Sequence, residues 1–380
     1  MSILMTRPTS RSLSVATGLD TPAPRPKPGP RPAQPVQEPS CEPDSQPRPA
    51  PPATVLGYNP FALDPAAHHF GLTTSSMRLR GGTVVVRHGR RTASQTATIL
   101  LHGAAGSWTT WTPLLQAAHA TERDLPDLIL PDLPGWGDSP LPADEVNLTV
   151  ESMAETVAEI ARALGYERWN VVGHSMGGII ALQLAASETR ATASVGLVSA
   201  TSFSIIDSVR HPIRHFFVLP AFTALLLTMR MLRLGGGVSR GLIKALARLN
   251  LLRGLVAPLF RHPGIIDSTV VAALGAEVRP AGFVLATDRA GAYDATRRWA
   301  QIVCPVRAVH GDDDVFVTAA DDAKLCEVVP QCVISTIARS GHFGQIERPL
   351  EVLLRLEFTA PPPMEQALGA DQCDKALGTC

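Results

Sequence analysis

The chain carries no net charge: 34 Lys and Arg balance 34 Asp and Glu over 380 residues. That excludes a chain-wide attraction to nucleic acid or to an acidic partner, so any electrostatic argument has to be local. A cysteine framework is missing too. Cys41, Cys304, Cys326, Cys332, Cys373 and Cys380 include no C-x-x-C pair, which fits a reducing compartment better than a disulfide scaffold. Cys326 and Cys332 are near enough in sequence to pair if oxidised, but buried free thiols are the expectation. No apolar run is long enough for a membrane span. The uncharged apolar stretch from Phe216 to Met229 has 14 residues and contains Pro220, whereas a bilayer core takes roughly 20 apolar residues. The opening "MSILMTRPTSRSLSVATG" has no apolar segment of signal-peptide length, so the expectation is a cytoplasmic protein, peripheral to a membrane at most.

Aromatics are absent from Thr21 to Pro52, where 13 of 32 residues are proline. Such a segment builds neither helix, sheet nor core. Residues 1–56 are therefore expected to be a disordered Pro-rich tail, with "PRPKPGPRP" as a ligand for an SH3-like groove the lesser alternative. Residues 360–380 are expected to form a flexible polar tail.

Between the tails, strand-like and helix-like segments alternate. "GGTVVVRHG", "TATILLHG", "DLILPDLPG", "RWNVVGHS", "ASVGLVSA", "PVRAVHG" and "VISTIA" are short apolar or β-branched runs, as strands covered on both faces must be. In "TVESMAETVAEIARALG", Val150, Met153, Ala154, Val157, Ile160, Ala161 and Leu164 fall on one helical face, with Gly165 as a stop. This alternation predicts an α/β fold with a mostly parallel, doubly wound sheet.

The chemistry centres on "NVVGHSMGGIIALQLAA", an apolar strand, a five-residue turn and an apolar helix. Glycines at 173 and 177 allow a reversal too tight for side chains and leave Ser175 at the sheet's C-terminal edge. Met176 opens the helix, so its N–H points to where negative charge would develop. "ILLHGAAG" offers the N–H of Ala104 as a second donor, "VHGDDDVFV" ends a strand in three acids, and "ARSGHFGQIERP" presents His342 after the last strand. Each candidate follows a strand, where open α/β sheets keep their sites.

With these motifs the chain resembles the α/β-hydrolases of the serine esterase and lipase type. The family's motifs match at His102-Gly103, Asp132 to Ser139, Gly173 to Gly177, Gly311 to Asp314, and Gly341-His342 with Glu347 and Pro349. The resemblance covers about residues 70–358. It implies Ser175 as nucleophile, His342 as base and Asp314 as acid, in the family's chain order. The N–H groups of Ala104 and Met176 would form the oxyanion hole, each such donor worth roughly 3 kcal/mol. Asp312 and Asp313 are rivals for the acid, and the G-x-x-D spacing favours Asp314. His102, His174 and His310 read as structural. Neither a metal nor a cofactor is called for.

The family's variable insertion falls between the strands ending near Ala200 and starting near Pro305. Residues 203–285 are assigned to a helical cap, with 57–202 and 286–359 as the hydrolase core. From 203 to 280 there are ten basic residues and three acidic ones. Arg240, Lys244 and Arg248 recur every fourth residue, as a solvated basic stripe or a contact for anionic membrane. Gly235, Gly236 and Gly237 read as the end of a cap helix or a hinge. Trp108, Phe216, Phe217, Phe222 and Phe343 are the expected pocket walls. The predicted substrate is a small-molecule carboxylic ester with an apolar acyl group. Alternatives are a carbon–carbon bond hydrolase, which would need Arg210 or Arg214 to hold a carboxylate, and a slow ligand receptor on the same scaffold. The oligomeric state is not legible.

Overall fold

The computed structural model describes residues 57–142, 148–235 and 252–357. Both expected tails lie outside these residues, as do Arg240, Lys244, Arg248, Gly236 and Gly237.

Eight strands form one sheet in the order β1-β2-β4-β3-β5-β6-β7-β8. β1 (Thr73–Leu79) and β2 (Gly82–His88) make an antiparallel pair at one edge, and β2 also runs antiparallel to β4 (Leu128–Pro131). β3 (Thr96–Leu101), β5 (Arg168–His174), β6 (Thr192–Val198), β7 (Val306–Gly311) and β8 (Cys332–Ile337) continue in parallel. The seven strand-like runs of the sequence are all strands. β1 is an addition. Its "TTSSMRL" has no buried residue and pairs only with β2, so an edge strand without a core face leaves no hydrophobic alternation to read.

Helices cover both faces. On one side α1 (Thr112–Ala120) and α13 (Pro349–Arg355) pack with Leu100, Leu130, Val172, Val198 and Val309. On the other lie α2 (Val150–Ala163) and α3 (Met176–Ser187), with Ile99, Leu101, Val171 and Leu197. α2 starts in a capping box between Thr149 and Ser152, and Gly165 follows its end at φ 88°. α3 is buried on every side from Met176 to Ala186, which explains why its sequence has no polar face.

Among the described residues the insertion between β6 and β7 is helical: α4 (Phe203–Arg210), α5 (Pro212–His215), α6 (Pro220–Leu234), α7 (Leu252–Val256), α8 (Ser268–Ala276), α9 (Pro280–Ala292) and α10 (Ala295–Trp299). The boundary expected between 285 and 286 falls inside α9, which is continuous and buried from Phe283 to Thr287. α6 ends at Leu234 with Gly235 as C-cap. Polar anchors tie the insertion down. Arg279 donates to the carbonyls of Gly135 (2.9 Å) and Gly137 (2.6 Å), while Glu277 accepts from the Gly137 amide at 2.9 Å. In α11 (Ala319–Val328), Asp321 accepts from the Ser202 hydroxyl and the Ser204 amide.

Among the described residues no single helix is long and apolar enough to cross a membrane; α8 and α9 meet the length and composition only as a pair bent by 78°. Cys304 and Cys332 are buried free thiols, but Cys326 is exposed, because it sits on the outer side of α11.

Candidate active site

Ser175 stands where β5 turns into α3. Its backbone sits at φ 51°, ψ −120°, a region that costs a non-glycine residue free energy and persists only where the surroundings fix it. They do so by close approach. A Cβ on Gly173 would meet the Gly177 carbonyl oxygen at 2.2 Å, and one on Gly177 would meet the Leu101 carbonyl oxygen at 2.4 Å. The Ser175 amide donates to Val198 O of the neighbouring strand at 3.1 Å.

His342 arrives on the loop after β8, and its Nε2 lies 3.0 Å from Ser175 Oγ. Its Nδ1 lies 3.0 and 3.2 Å from the two oxygens of Asp314, on the loop after β7. The His342 and Asp314 side chains are 3% and 1% exposed, so the pair is screened from water. Burial alone would push the Asp314 carboxyl up. The His342 ring and the Phe316 amide, which donates to Oδ1 at 2.9 Å, outweigh burial and hold the carboxyl below the usual range. The rival acids point elsewhere. Asp312 accepts from the Ser340 amide and Asp313 pairs with Arg261 at 3.2 Å.

The loop bearing His342 is held by Glu347, at the end of the short α12 (Gly344–Glu347). This fully buried carboxylate accepts from the amides of Gly341, Phe343 and Arg261 and from the Tyr58 hydroxyl. Burial pushes the Glu347 carboxyl up. The His342 amide itself donates to Leu259 O of the insertion at 2.8 Å. From behind, His174 Nε2 reaches His342 O at 2.9 Å, which requires the proton on Nε2. Complete burial, the nearby His342 ring and His102 bring the His174 pKa down to about 3, so it stays neutral. His102 is also neutral through burial, accepting on Nε2 from the Leu133 amide at 2.9 Å. It joins the loops after β3 and β4.

Asp132 folds its own motif into a support. It accepts from the amides of Trp108 and Asp138 and pairs with Arg87. Gly137, at φ 53°, lies so close that a Cβ there would touch the Asp132 carboxyl. His310 caps β7 by contacting Asp322 at 3.0 Å.

Ala104 and Met176 both line the cavity above Ser175. Among the described residues neither of their amides donates to a carbonyl outside the helices and strands, which leaves both available to a ligand oxygen. Of the expected walls, Phe222 and Phe343 line the cavity. Three expectations need correcting. Trp108 is buried in the core on the opposite side of the sheet, with Arg87 over its ring at 5.2 Å. Phe216 and Phe217 face outward, 42% and 88% exposed. Leu225 and Met229, in the same apolar run as Phe222, also line it, and further walls come from Ile205, Leu274, Phe283 and Phe316. Phe316 had a signal, since it is the apolar residue two positions beyond Asp314, and its ring lies 4.7 Å from that of His342. No Asp, Glu, Lys or Arg among the described residues lines this cavity. Arg210 donates instead to Gly291 O and Tyr293 O, and Arg214 is exposed.

Residues 98–356 match the alpha/beta hydrolase family, and the chain belongs to it. It is a hydrolase. Among curated proteins it resembles the dihydrolipoyllysine-residue acetyltransferase component of the acetoin cleaving system of Cupriavidus necator, at 29% identity over 272 residues. That match takes in 69% of this chain but spans only 63% of the relative's own length. Among solved structures, an esterase from Thermogutta terrifontis superposes with TM-score 0.54 at 19% identity, covering 75% of this chain and 97% of the other. A bacterial membrane phospholipase A superposes with TM-score 0.55 at 18% identity, covering 77% and 87%. At these identities the superpositions show the shared fold.

Proposed function

We propose that the protein cleaves carboxylic esters of apolar acyl groups through an acyl-enzyme formed on Ser175. The observation that carries this reading is the chain of contacts from Ser175 Oγ through His342 to Asp314, each 3.0 Å long. His342 takes the serine proton as Oγ attacks the ester carbonyl, then gives it to the leaving alcohol. Asp314 fixes the tautomer with the proton on Nδ1 and stabilises the imidazolium. The amides of Ala104 and Met176 receive the oxyanion. Water, activated by the same histidine, releases the acid. No step calls for a metal or a cofactor.

The acyl preference rests on the cavity. Phe222, Leu225, Met229, Leu274 and Phe283 wall it with hydrocarbon, and its polar members beside the reacting residues are His174, Thr201 and Thr287. An apolar chain is stabilised there by about 0.8 kcal/mol per buried methylene, whereas a carboxylate would find no cation. This weighs against a carbon–carbon bond hydrolase that grips an acid group.

A fluorophosphonate probe should label the wild type and leave Ser175→Ala unlabelled. Across a series of p-nitrophenyl esters, kcat/KM should rise from acetate to octanoate. Absence of labelling, or full esterase activity in the alanine variant, refutes the serine mechanism. A steep preference for acetate leaves that mechanism in place and refutes the apolar pocket.

A further inference from the structure

α6 is mostly apolar, yet only one side of it is covered. Phe222, Leu226 and Met229 are buried on one side, and Phe222, Leu225 and Met229 line the Ser175 cavity. The opposite side carries Leu227, Met231 and Leu234 at 47%, 69% and 83% exposure, spaced so that they make one stripe. The turn bearing Phe216, Phe217 and Val218 leads into the start of α6, and Ile213, 90% exposed, precedes that turn. Of the 11 large hydrophobic residues exposed among the described residues, these seven fall within positions 213–234. Exposed apolar side chains scattered singly need no explanation, but a concentration of this kind marks a surface that meets another apolar medium.

Charge selects the medium. From Phe203 to Gly235 the basic residues are Arg210, Arg214, Arg230 and Arg233, and the one acid is Asp207. Arg210 pairs with Asp207 and Arg230 with Asp288. Arg214 and Arg233 are exposed and form no ion pair among the described residues. Exposed apolar side chains with unpaired guanidinium groups on the same segment suit the boundary between acyl chains and anionic headgroups.

We propose that the surface made by the Phe216–Val218 turn and the outer stripe of α6 seats in the interfacial region of an anionic lipid bilayer. The phenylalanines enter the acyl boundary while Arg214 and Arg233 stay at the headgroups. This docking stands apart from the reaction assigned to Ser175. It places one wall of the cavity, α6, directly on the lipid. The membrane contact therefore differs from the one suggested by Arg240, Lys244 and Arg248, which lie outside the described residues.

The test is co-flotation of the full chain with phosphatidylcholine–phosphatidylglycerol vesicles and with phosphatidylcholine vesicles. The wild type should float with the anionic vesicles. Phe217→Asp should weaken that binding by about tenfold or more, the scale set by one buried aromatic side chain. The double variant Arg214→Glu with Arg233→Glu should weaken binding to anionic vesicles and leave any residual binding to neutral ones unchanged. Hydrolysis of p-nitrophenyl butyrate in free solution at the wild-type rate shows that each variant is folded, since none of these residues lines the cavity. Three results overturn the proposal. The wild type fails to float; Phe217→Asp floats as well as the wild type; or the wild type is a dimer in lipid-free buffer that Phe217→Asp makes monomeric, which assigns the face to a second copy.

Discussion

The turn around Ser175 and the helical insertion above it share one cavity but are held in place differently. At the turn, backbone meets backbone. Gly173 and Gly177 there, and Gly311 at the end of β7, each leave less than 2.5 Å between an added Cβ and a carbonyl oxygen, and His102, His174 and Asp132 brace neighbouring loops by hydrogen bonds. In the insertion the contacts are mostly between apolar side chains, Gly254 and Gly264 have nothing within 4 Å of an added Cβ, and α6 leaves one apolar side exposed. A framework fixed by backbone proximity tolerates almost no substitution. One fixed by apolar packing accepts many sequences provided the volume is kept. The first suits reacting atoms, and the second suits a wall that defines a substrate.

The largest effect should come from breaking the chain of contacts at the turn. Asp314→Asn should lower kcat/KM on p-nitrophenyl butyrate by about 10⁴-fold, because the amide favours the wrong imidazole tautomer. Asp313→Asn, which removes only a half-exposed pair with Arg261, should change it by less than about threefold. Equal losses in the two variants would place the acid elsewhere.

This contrast also explains what was legible in the sequence. Glycines forced by close approach and polar residues at strand ends leave fixed spacings, so Ser175, Asp314 and His342 stand out, and seven of the eight strands carry their burial in their composition. β1 was silent because an edge strand buries nothing. Packing in the insertion leaves only the signal "apolar", which does not say whether a side chain faces inward or outward. Phe222 and Phe217 look alike in sequence; the structure buries one at 3% exposure and leaves the other at 88%. Trp108 misled for a related reason. Its nearness to Ala104 in sequence says nothing about the face of the sheet it packs on. The support from Glu347 was visible as a motif, but its partners Tyr58 and Arg261 come from distant segments that no spacing connects.

Glycine substitutions test the comparison itself. Gly177→Ala should lower stability by about 3 kcal/mol or more, since the methyl group would lie 2.4 Å from Leu101 O with no flexible atom to yield. In the insertion, Gly254→Ala adds a methyl group to an open position on α7, so it should be neutral or stabilise by up to about 1 kcal/mol. Denaturation midpoints measure both. A loss at Gly254 matching that at Gly177 would show that the insertion is as tightly fixed as the turn.

A smaller effect should follow from the neutral histidine behind the site. His174 titrates in the folded protein at about 3, against 6.5 for an ordinary imidazole. Between these values the unfolded chain binds a proton that the folded chain does not, so stability is complete above 6.5 and falls as the pH drops below it. The loss is about 2 kcal/mol by about pH 5. Burial also lowers the pKa of His102, and Asp322 raises that of His310, whose contribution has the opposite sign. Both remain in a His174 variant and cancel in the comparison. His174→Gln keeps an N–H able to donate toward His342 O but removes the proton equilibrium. Its stability should therefore fall less than that of the wild type between about pH 7.5 and pH 5. Parallel curves would mean that the His174 ring is not sealed from solvent protons, and that the turn is looser behind Ser175 than its backbone contacts imply.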